Sequence, residues 1–149
     1  MRTHLTASLP RRLRQAARYA VGVWLVGFAW SMIVFAIPAL RWMPSVPGVS
    51  KFPAVSVVLL PSYVVLLTLL TRRYLQHTPP EQRQDEGLRL GTFFLLANTA
   101  LDVLVYVGIF CGVDYFAYAS IWVADALLVG LPYALGASAA RRHDQRSAA

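Results

Sequence analysis

Residues 19–40 read YAVGVWLVGFAWSMIVFAIPAL, a stretch with no charged side chain. About 20 consecutive apolar residues make a helix long enough to cross the roughly 30 Å hydrocarbon core of a bilayer. Three more stretches have this character, at residues 52–71, 90–113 and 116–140. The only charged residue in the third is Asp102, and the only one in the fourth is Asp125. The sequence therefore predicts an all-α fold, an integral membrane four-helix bundle that forms one domain over residues 1–149.

The composition agrees with a membrane location. Of the 149 residues, 57% are hydrophobic and 14% are charged, and the mean hydropathy is +0.51. Soluble domains carry roughly 25% charged residues, and disordered chains combine low hydrophobicity with high charge. A soluble globular domain and a disordered chain are both disfavoured.

The basic residues predict the orientation. All of the 14 Lys and Arg except Arg41 and Lys51 lie before the first span, between the second and third, or after the fourth. This asymmetry predicts that the N and C termini are both cytoplasmic, in a cell inner membrane. We expect residues 1–18 to form a basic tail or surface helix, and 141–149 a basic tail. The net charge of +7 then matches anionic phospholipid headgroups in the bilayer rather than nucleic acid.

The sequence lacks most of the residue sets and motifs on which common enzyme classes depend. Cys111 is the single cysteine, and His4, His77 and His143 all lie outside the four apolar stretches. No Walker loop, dinucleotide-binding glycine motif or G-x-S-x-G motif is present. We expect no metal site and no cofactor, and the balance is against an enzyme.

A small polar set inside the apolar stretches is the candidate site. Asn98, Asp102 and Tyr106 are spaced by four residues, so they share one face of the third helix. Asp125 and Tyr133 share a face of the fourth helix. Acidic groups near the bilayer midplane are costly and by default mark a functional site, here a ligand-binding or proton-binding one. The alternative is a structural clamp in which protonated Asp102 hydrogen-bonds Asn98 or a tyrosine.

Small residues recur at helical spacing in the first and last spans. Gly27 and Ser31 are four residues apart, as are Ala126, Gly130 and Ala134. This spacing lets helices approach closely and predicts helix packing, either inside the bundle or against a partner helix.

Residues 88–142 resemble one hairpin of the GtrA-like family. The similar features are Asn98-Thr99-Ala100-Leu101-Asp102 in a span that follows Arg89-Leu90, then a short turn and a helix that ends at Arg141-Arg142. The resemblance implies a small four-span protein that moves polyprenyl-linked sugars across the membrane.

The same region also resembles lipoprotein signal peptidase, an intramembrane aspartyl protease with four spans. Asp102, Gly112-Val113-Asp114-Tyr115 and Val123-Ala124-Asp125 follow in the order of that family's motifs. The resemblance implies a catalytic dyad of Asp114 and Asp125, two close carboxyls that share one proton.

Three functions follow as expectations. The leading one is a polar pocket between the helices that binds or translocates a small molecule or a lipid-linked headgroup. The alternatives are the aspartyl protease and a non-catalytic membrane subunit that docks a larger complex. A homodimer or a larger membrane complex is the expected assembly.

The basic-residue asymmetry predicts the result of reporter fusions. A reporter fused after Val49 is expected outside the cell, and one fused after Ala149 is expected inside, because an odd number of spans separates these points. Reporter activity on the same side for both fusions would contradict the four-span topology.

Overall fold

Four long helices make up most of the chain. The computed structural model describes residues 9–109 and 112–147, and side chains at 14–109, 112 and 114–141. The helices are α1 (Leu9–Phe35), α2 (Pro53–Leu75), α3 (Arg83–Asp102) and α4 (Ala119–Ser147). A π-helical segment, Val103–Val107, continues α3, and short 3-10 turns occur at Pro38–Leu40, Pro80–Gln82 and Val113–Ala117.

Each long helix, together with the short helical segments that continue it, provides a stretch long and apolar enough to cross a bilayer. These stretches are Arg14–Phe35, Pro53–Leu75, Pro80–Val107 and Ala119–Arg141. The predicted all-helical architecture with four candidate spans is confirmed over the described residues. The end at which α1 begins, α4 ends and residues 76–82 connect α2 to α3 is called the termini end. The end with the 36–52 and 112–118 connections is called the loop end.

Several helix boundaries differ from the expected ones. Residues 9–18 continue directly into the first span as part of α1 rather than forming a separate surface helix. Pro10 lies in the first turn of that helix, where its missing N–H costs no hydrogen bond. Residues 1–8 lie outside the described part of the chain. At the other end, α4 remains helical from the last span through Ser147, so most of the expected basic tail is helical.

The third span ends earlier than expected. Its helical path stops at Val107, and the next described element is the 3-10 turn that begins at Val113. Asp102 therefore lies only about 7.5 Å along the helix from this end, at 1.5 Å per residue. The π-helical segment Val103–Val107 is the end of this path. Asp102 therefore lies nearer the loop end than the midplane position expected for a span that runs to residue 113.

The apolar core lies toward the termini end of the bundle. Each helix contributes buried side chains to one cluster: Ala16, Ala20, Val23, Leu67, Tyr74, Leu75, Leu90, Phe94 and Leu128. Close contacts among these side chains add up to a large dispersion attraction, which holds the four helices together. The helices are therefore packed most completely in this half.

Glycines set the close contact between α3 and α4. A Cβ atom at Gly91 would lie 2.8 Å from Val129 Cα and 2.9 Å from the Leu128 carbonyl oxygen. That carbonyl has no helical partner because Pro132, four residues later, carries no N–H. Cβ atoms at Gly87 and Gly136 would also collide with backbone of the opposite helix. The pair depends on backbone approach that only glycine permits.

The long loop-end connection caps the start of α4. Gly48, at φ 71°, turns the chain between Val46 and Ser50, which form an isolated antiparallel bridge. The backbone N–H groups of Ala119 and Ser120 donate to the carbonyls of Gly48 and Val49, each at 3.0 Å. Two N–H groups that a helix start leaves unpaired are thus satisfied by the loop.

Substituting alanine for Gly91 is expected to lower the free energy of unfolding by about 1–3 kcal/mol, because the added methyl forces α3 and α4 apart. Gly130→Ala is the matched control, since nothing lies within 4 Å of a Cβ there. The measurement is a dodecyl sulfate unfolding titration followed by circular dichroism. Equal stability of the two variants would contradict the close α3–α4 contact.

Candidate functional site

A cavity of about 580 Å³ lies between α1 and α2, in the half of the bundle nearer the loop end. The helices α3 and α4 form its floor, with Asn98, Asp102 and Asp125. Its outer margin is formed by exposed apolar side chains of the two wall helices: Val26, Trp30, Val65 and Leu69. The cavity therefore opens sideways between α1 and α2, on an apolar surface.

Asp102 is the centre of a hydrogen-bond cluster. Its Oδ1 accepts from the Trp24 indole N–H at 2.9 Å. Its Oδ2 accepts from the Asn98 amide at 2.8 Å and from the Tyr115 hydroxyl at 3.1 Å. The side chain is only 4% exposed. Three donors from α1, α3 and the 113–117 turn thus satisfy both oxygens of a buried carboxyl group.

Asn98 connects the two buried acidic residues. Its Nδ2 also donates to Asp125 Oδ1 at 3.2 Å, so one amide nitrogen bridges α3 to α4. Its Oδ1 accepts from the Tyr63 hydroxyl of α2 at 3.4 Å. Asn98 and Asp102 together therefore contact all three other helices or their connections.

Asp125 is less completely paired than Asp102. It is 7% exposed and lines the cavity. Within the described residues its one hydrogen bond is the Oδ1 contact with Asn98, and Oδ2 has no protein donor. Among the described residues this oxygen is not one of the fully buried unpaired atoms, so it faces the open space of the cavity. Asp125 Oδ2 is thus available to a group that enters the cavity.

Aromatic rings form the walls around these acids. Trp24 stacks on Phe28 with ring centroids 5.0 Å apart, and Tyr106 stacks on Tyr115 at 4.5 Å. Phe28 meets Tyr106 edge to face at 6.3 Å. Burial raises the pKa of the Tyr115 hydroxyl, and the nearby Asp102 carboxyl adds to the shift. This hydroxyl therefore remains a proton donor to Asp102 at neutral pH.

The structure brings together four of the five residues expected to bind a ligand or proton. Asn98, Asp102, Tyr106 and Asp125 all line the cavity. Tyr133 lies apart: it is 41% exposed and accepts a hydrogen bond from Gln84 at 2.9 Å, near the start of α3.

The two acids of the protease resemblance lie in different environments. Asp114 is exposed on the 113–117 turn, whereas Asp125 is buried. The acidic residue that Asn98 joins to Asp125 is Asp102. The described geometry therefore pairs Asp125 with Asp102 rather than with Asp114.

The small residues expected to pack helices fall into two groups. A Cβ at Gly27 would lie 3.2 Å from the Tyr63 ring, so this glycine allows α2 to approach α1. Ser31 donates to the Phe28 carbonyl at 2.7 Å and lines the cavity. The stripe on α4 instead faces outward and is exposed at all three positions: Ala126, Gly130 and Ala134. Docking of that stripe against a partner helix stays a prediction.

Sequence reasoning missed three residues of the cluster, namely Trp24, Tyr63 and Tyr115. Tyr115 lies beside a span end, where a tyrosine is expected at headgroup depth rather than against a buried acid. Trp24 carried a usable signal: it lies inside an apolar span, where a buried indole N–H needs an acceptor. The spacing along one helix could not reveal contacts between different helices.

A third buried acid, Glu86, lies near the termini end. It accepts from the Tyr74 hydroxyl at 3.1 Å and pairs with Arg89 at 3.3 Å. Over the part of the chain that the structure describes, no group of three His, Cys, Asp or Glu side chains could hold a metal ion.

Replacing Tyr115 with phenylalanine is expected to lower the free energy of unfolding by about 0.5–1.5 kcal/mol, because Asp102 loses one donor. The matched control is Tyr118→Phe, since Tyr118 makes no side-chain hydrogen bond among the described residues. Denaturant titration of both variants in dodecyl maltoside measures the difference. An unaltered stability for Tyr115→Phe would contradict the contact with Asp102.

Comparison of the chain with family models, curated proteins and solved structures gave no match. The resemblances to the GtrA-like family and to lipoprotein signal peptidase therefore stay predictions, and the function is argued from the cavity.

Proposed function

We propose that this chain is a multi-pass protein of the cell inner membrane that binds or translocates an amphiphile through the cavity between α1 and α2. Both termini lie on the cytoplasmic side in this proposal, because the basic residues cluster at the termini end. The observation that carries it is a cavity with an apolar sideways opening and a floor that holds two carboxyl groups.

The shape of the cavity suits an amphiphile that enters from the bilayer. An apolar tail can remain between the exposed side chains of α1 and α2, while the polar head reaches the floor. Ligand cavities are commonly lined by apolar and aromatic side chains with a few convergent polar groups. A lipid-linked headgroup, which the GtrA-like resemblance implies, combines an apolar tail with a polar head. A small amphiphilic molecule does the same.

The cost of the buried acids supports a binding role. An acidic side chain within an apolar span costs at least a few kcal/mol, and such residues usually face a ligand or ion pathway. A structural clamp accounts for Asp102, whose two oxygens receive three donors. It does not account for Asp125, whose Oδ2 has no donor within the described residues. That oxygen faces the cavity, where a ligand would contact it.

The protease alternative receives less support from the geometry. A dyad that shares one proton requires two adjacent carboxyls, and Asp114 is exposed whereas Asp125 is buried. The second alternative, a non-catalytic membrane subunit, depends on the exposed stripe on α4 formed by Ala126, Gly130 and Ala134. Lipid tails can also cover that stripe. We therefore favour the cavity as the functional site.

Quenching by brominated lipids tests whether an acyl chain enters the cavity. The test uses Trp24 as the single fluorophore, after the other three tryptophans are changed to phenylalanine. Lipid bromine is expected to quench Trp24, and Ala124→Phe is expected to reduce the quenching because Ala124 lines the cavity. Ala126→Phe, on the exposed face of the same helix, is the matched control.

Two outcomes of this experiment would contradict the proposal. One is the absence of Trp24 quenching, which would mean that no chain reaches the cavity. The other is an equal decrease for Ala124→Phe and Ala126→Phe, which would mean that the lipid contacts the outer surface of the bundle rather than the cavity.

A further inference from the structure

We propose that the head of the amphiphile is an organic cation, an ammonium group carried on an apolar body. This inference rests on the proposed function and adds the chemical class of the ligand. Three features of the cavity support it: its charge, the free oxygen of Asp125 and its aromatic walls.

The charge of the cavity lining has one sign. Among the described residues, the lining contains two acidic side chains, Asp102 and Asp125, and no lysine, arginine or histidine. A charged group that enters an apolar span needs a partner of opposite sign, because desolvation is otherwise too costly. An anionic head such as a phosphate would meet two carboxyl groups and no basic side chain. A cationic head would meet complementary charge.

The two carboxyl groups have different roles in this site. Asp102 has its Oδ1 and Oδ2 occupied by Trp24, Asn98 and Tyr115. Asp125 Oδ2 has no donor from the part of the chain that the structure describes, and the Asp125 side chain lines the cavity. The ammonium group therefore contacts Asp125, while Asp102 holds Asn98 in the position that orients Asp125. Asp102 is a positioning residue in this arrangement.

Aromatic rings provide further surface for a cation. Six aromatic side chains line the cavity: Trp24, Phe28, Trp30, Tyr63, Tyr106 and Tyr115. The faces of such rings attract ammonium groups through their negative quadrupole, most strongly where water is excluded. A quaternary ammonium group in this cavity would be attracted by the faces of the rings and by the Asp125 carboxylate. Neither attraction requires a hydrogen-bond donor on the ligand.

Equilibrium dialysis of radiolabelled decyltrimethylammonium tests the proposal. The intact chain in dodecyl maltoside is compared with Asp125→Asn, which keeps the Oδ1 acceptor for Asn98 and removes the charge. Asp114→Asn removes an acidic group at an exposed position and is the matched control. We expect Asp125→Asn to weaken binding about tenfold or more, because the cation loses its charge partner, and Asp114→Asn to leave binding unchanged. Thermal unfolding of each variant shows whether the fold is retained.

Competition with two amphiphiles of the same chain length separates the ligand class from the proposed function. Neither decyl sulfate nor decyl glucoside is expected to displace decyltrimethylammonium at equal concentration. If decyl glucoside competes equally, the cationic class is wrong while an amphiphile cavity remains. If no decyl amphiphile binds, the proposed function itself is wrong. Retained affinity in a folded Asp125→Asn variant would also overturn the assignment of Asp125.

Two sources can supply an ammonium group in a membrane, namely a lipid headgroup and a free amphiphilic amine. Phosphatidylethanolamine is therefore included as a competitor, with phosphatidylglycerol as its anionic control. Displacement by phosphatidylethanolamine alone assigns the site to a lipid. Binding of decyltrimethylammonium that neither lipid displaces assigns it to a free amine, and both results support the cationic class.

Discussion

The pairing of Asp102 with three donors is the contact on which the arrangement of the loop-end half depends. A carboxyl group among apolar helices must receive hydrogen bonds, since water is not freely available to supply them. Trp24 from α1, Asn98 within α3 and Tyr115 from the 113–117 turn provide these bonds. The position of α1 relative to α3, and the inward position of the turn, both follow from this requirement. Asn98 then carries the constraint to Asp125 on α4.

The two halves of the bundle differ in how closely their helices pack. Toward the termini end, a cluster of buried apolar side chains joins all four helices. Along α3 and α4, Gly87, Gly91 and Gly136 permit backbone contact, which leaves little volume between these helices. In the loop-end half, α1 and α2 instead border a cavity of about 580 Å³. Tight packing on one side thus positions the acidic floor of an open space on the other.

The length of the apolar stretches, the spacing of polar residues and the positions of charges predicted the architecture because each of these is a property of a single helix. The four apolar stretches each correspond to a long helix, and the spacing of Asn98, Asp102 and Tyr106 predicted a shared face that lines the cavity. The partners Trp24, Tyr63 and Tyr115 depend on contacts between helices, which spacing does not encode. Tyr133 shares a face of α4 with Asp125 but lies beyond the cavity, where its hydroxyl accepts a hydrogen bond from Gln84. The third helical path ends at Val107 with a π-helical segment, whereas the apolar sequence continues to residue 113 and gives no signal for that end.

The alternative explanations of the buried acids differ in what they require of Asp125. A clamp requires only that Asp102 is paired, and an aspartyl dyad requires Asp125 to lie beside Asp114. A binding cavity requires a carboxylate oxygen that the protein leaves unpaired, and Asp125 Oδ2 meets that requirement within the described residues. The exposed apolar margin of α1 and α2 gives a membrane amphiphile a route to it.

The most direct test of this account is a cryo-electron microscopy structure of the chain in lipid nanodiscs, with a rigid binding protein attached to add mass. The account predicts elongated density that passes between α1 and α2 and ends beside Asp125, with the Trp24–Asp102 contact intact. A bundle in which α1 and α2 close on each other, so that their own side chains fill the space above Asp102 and Asp125, would contradict it.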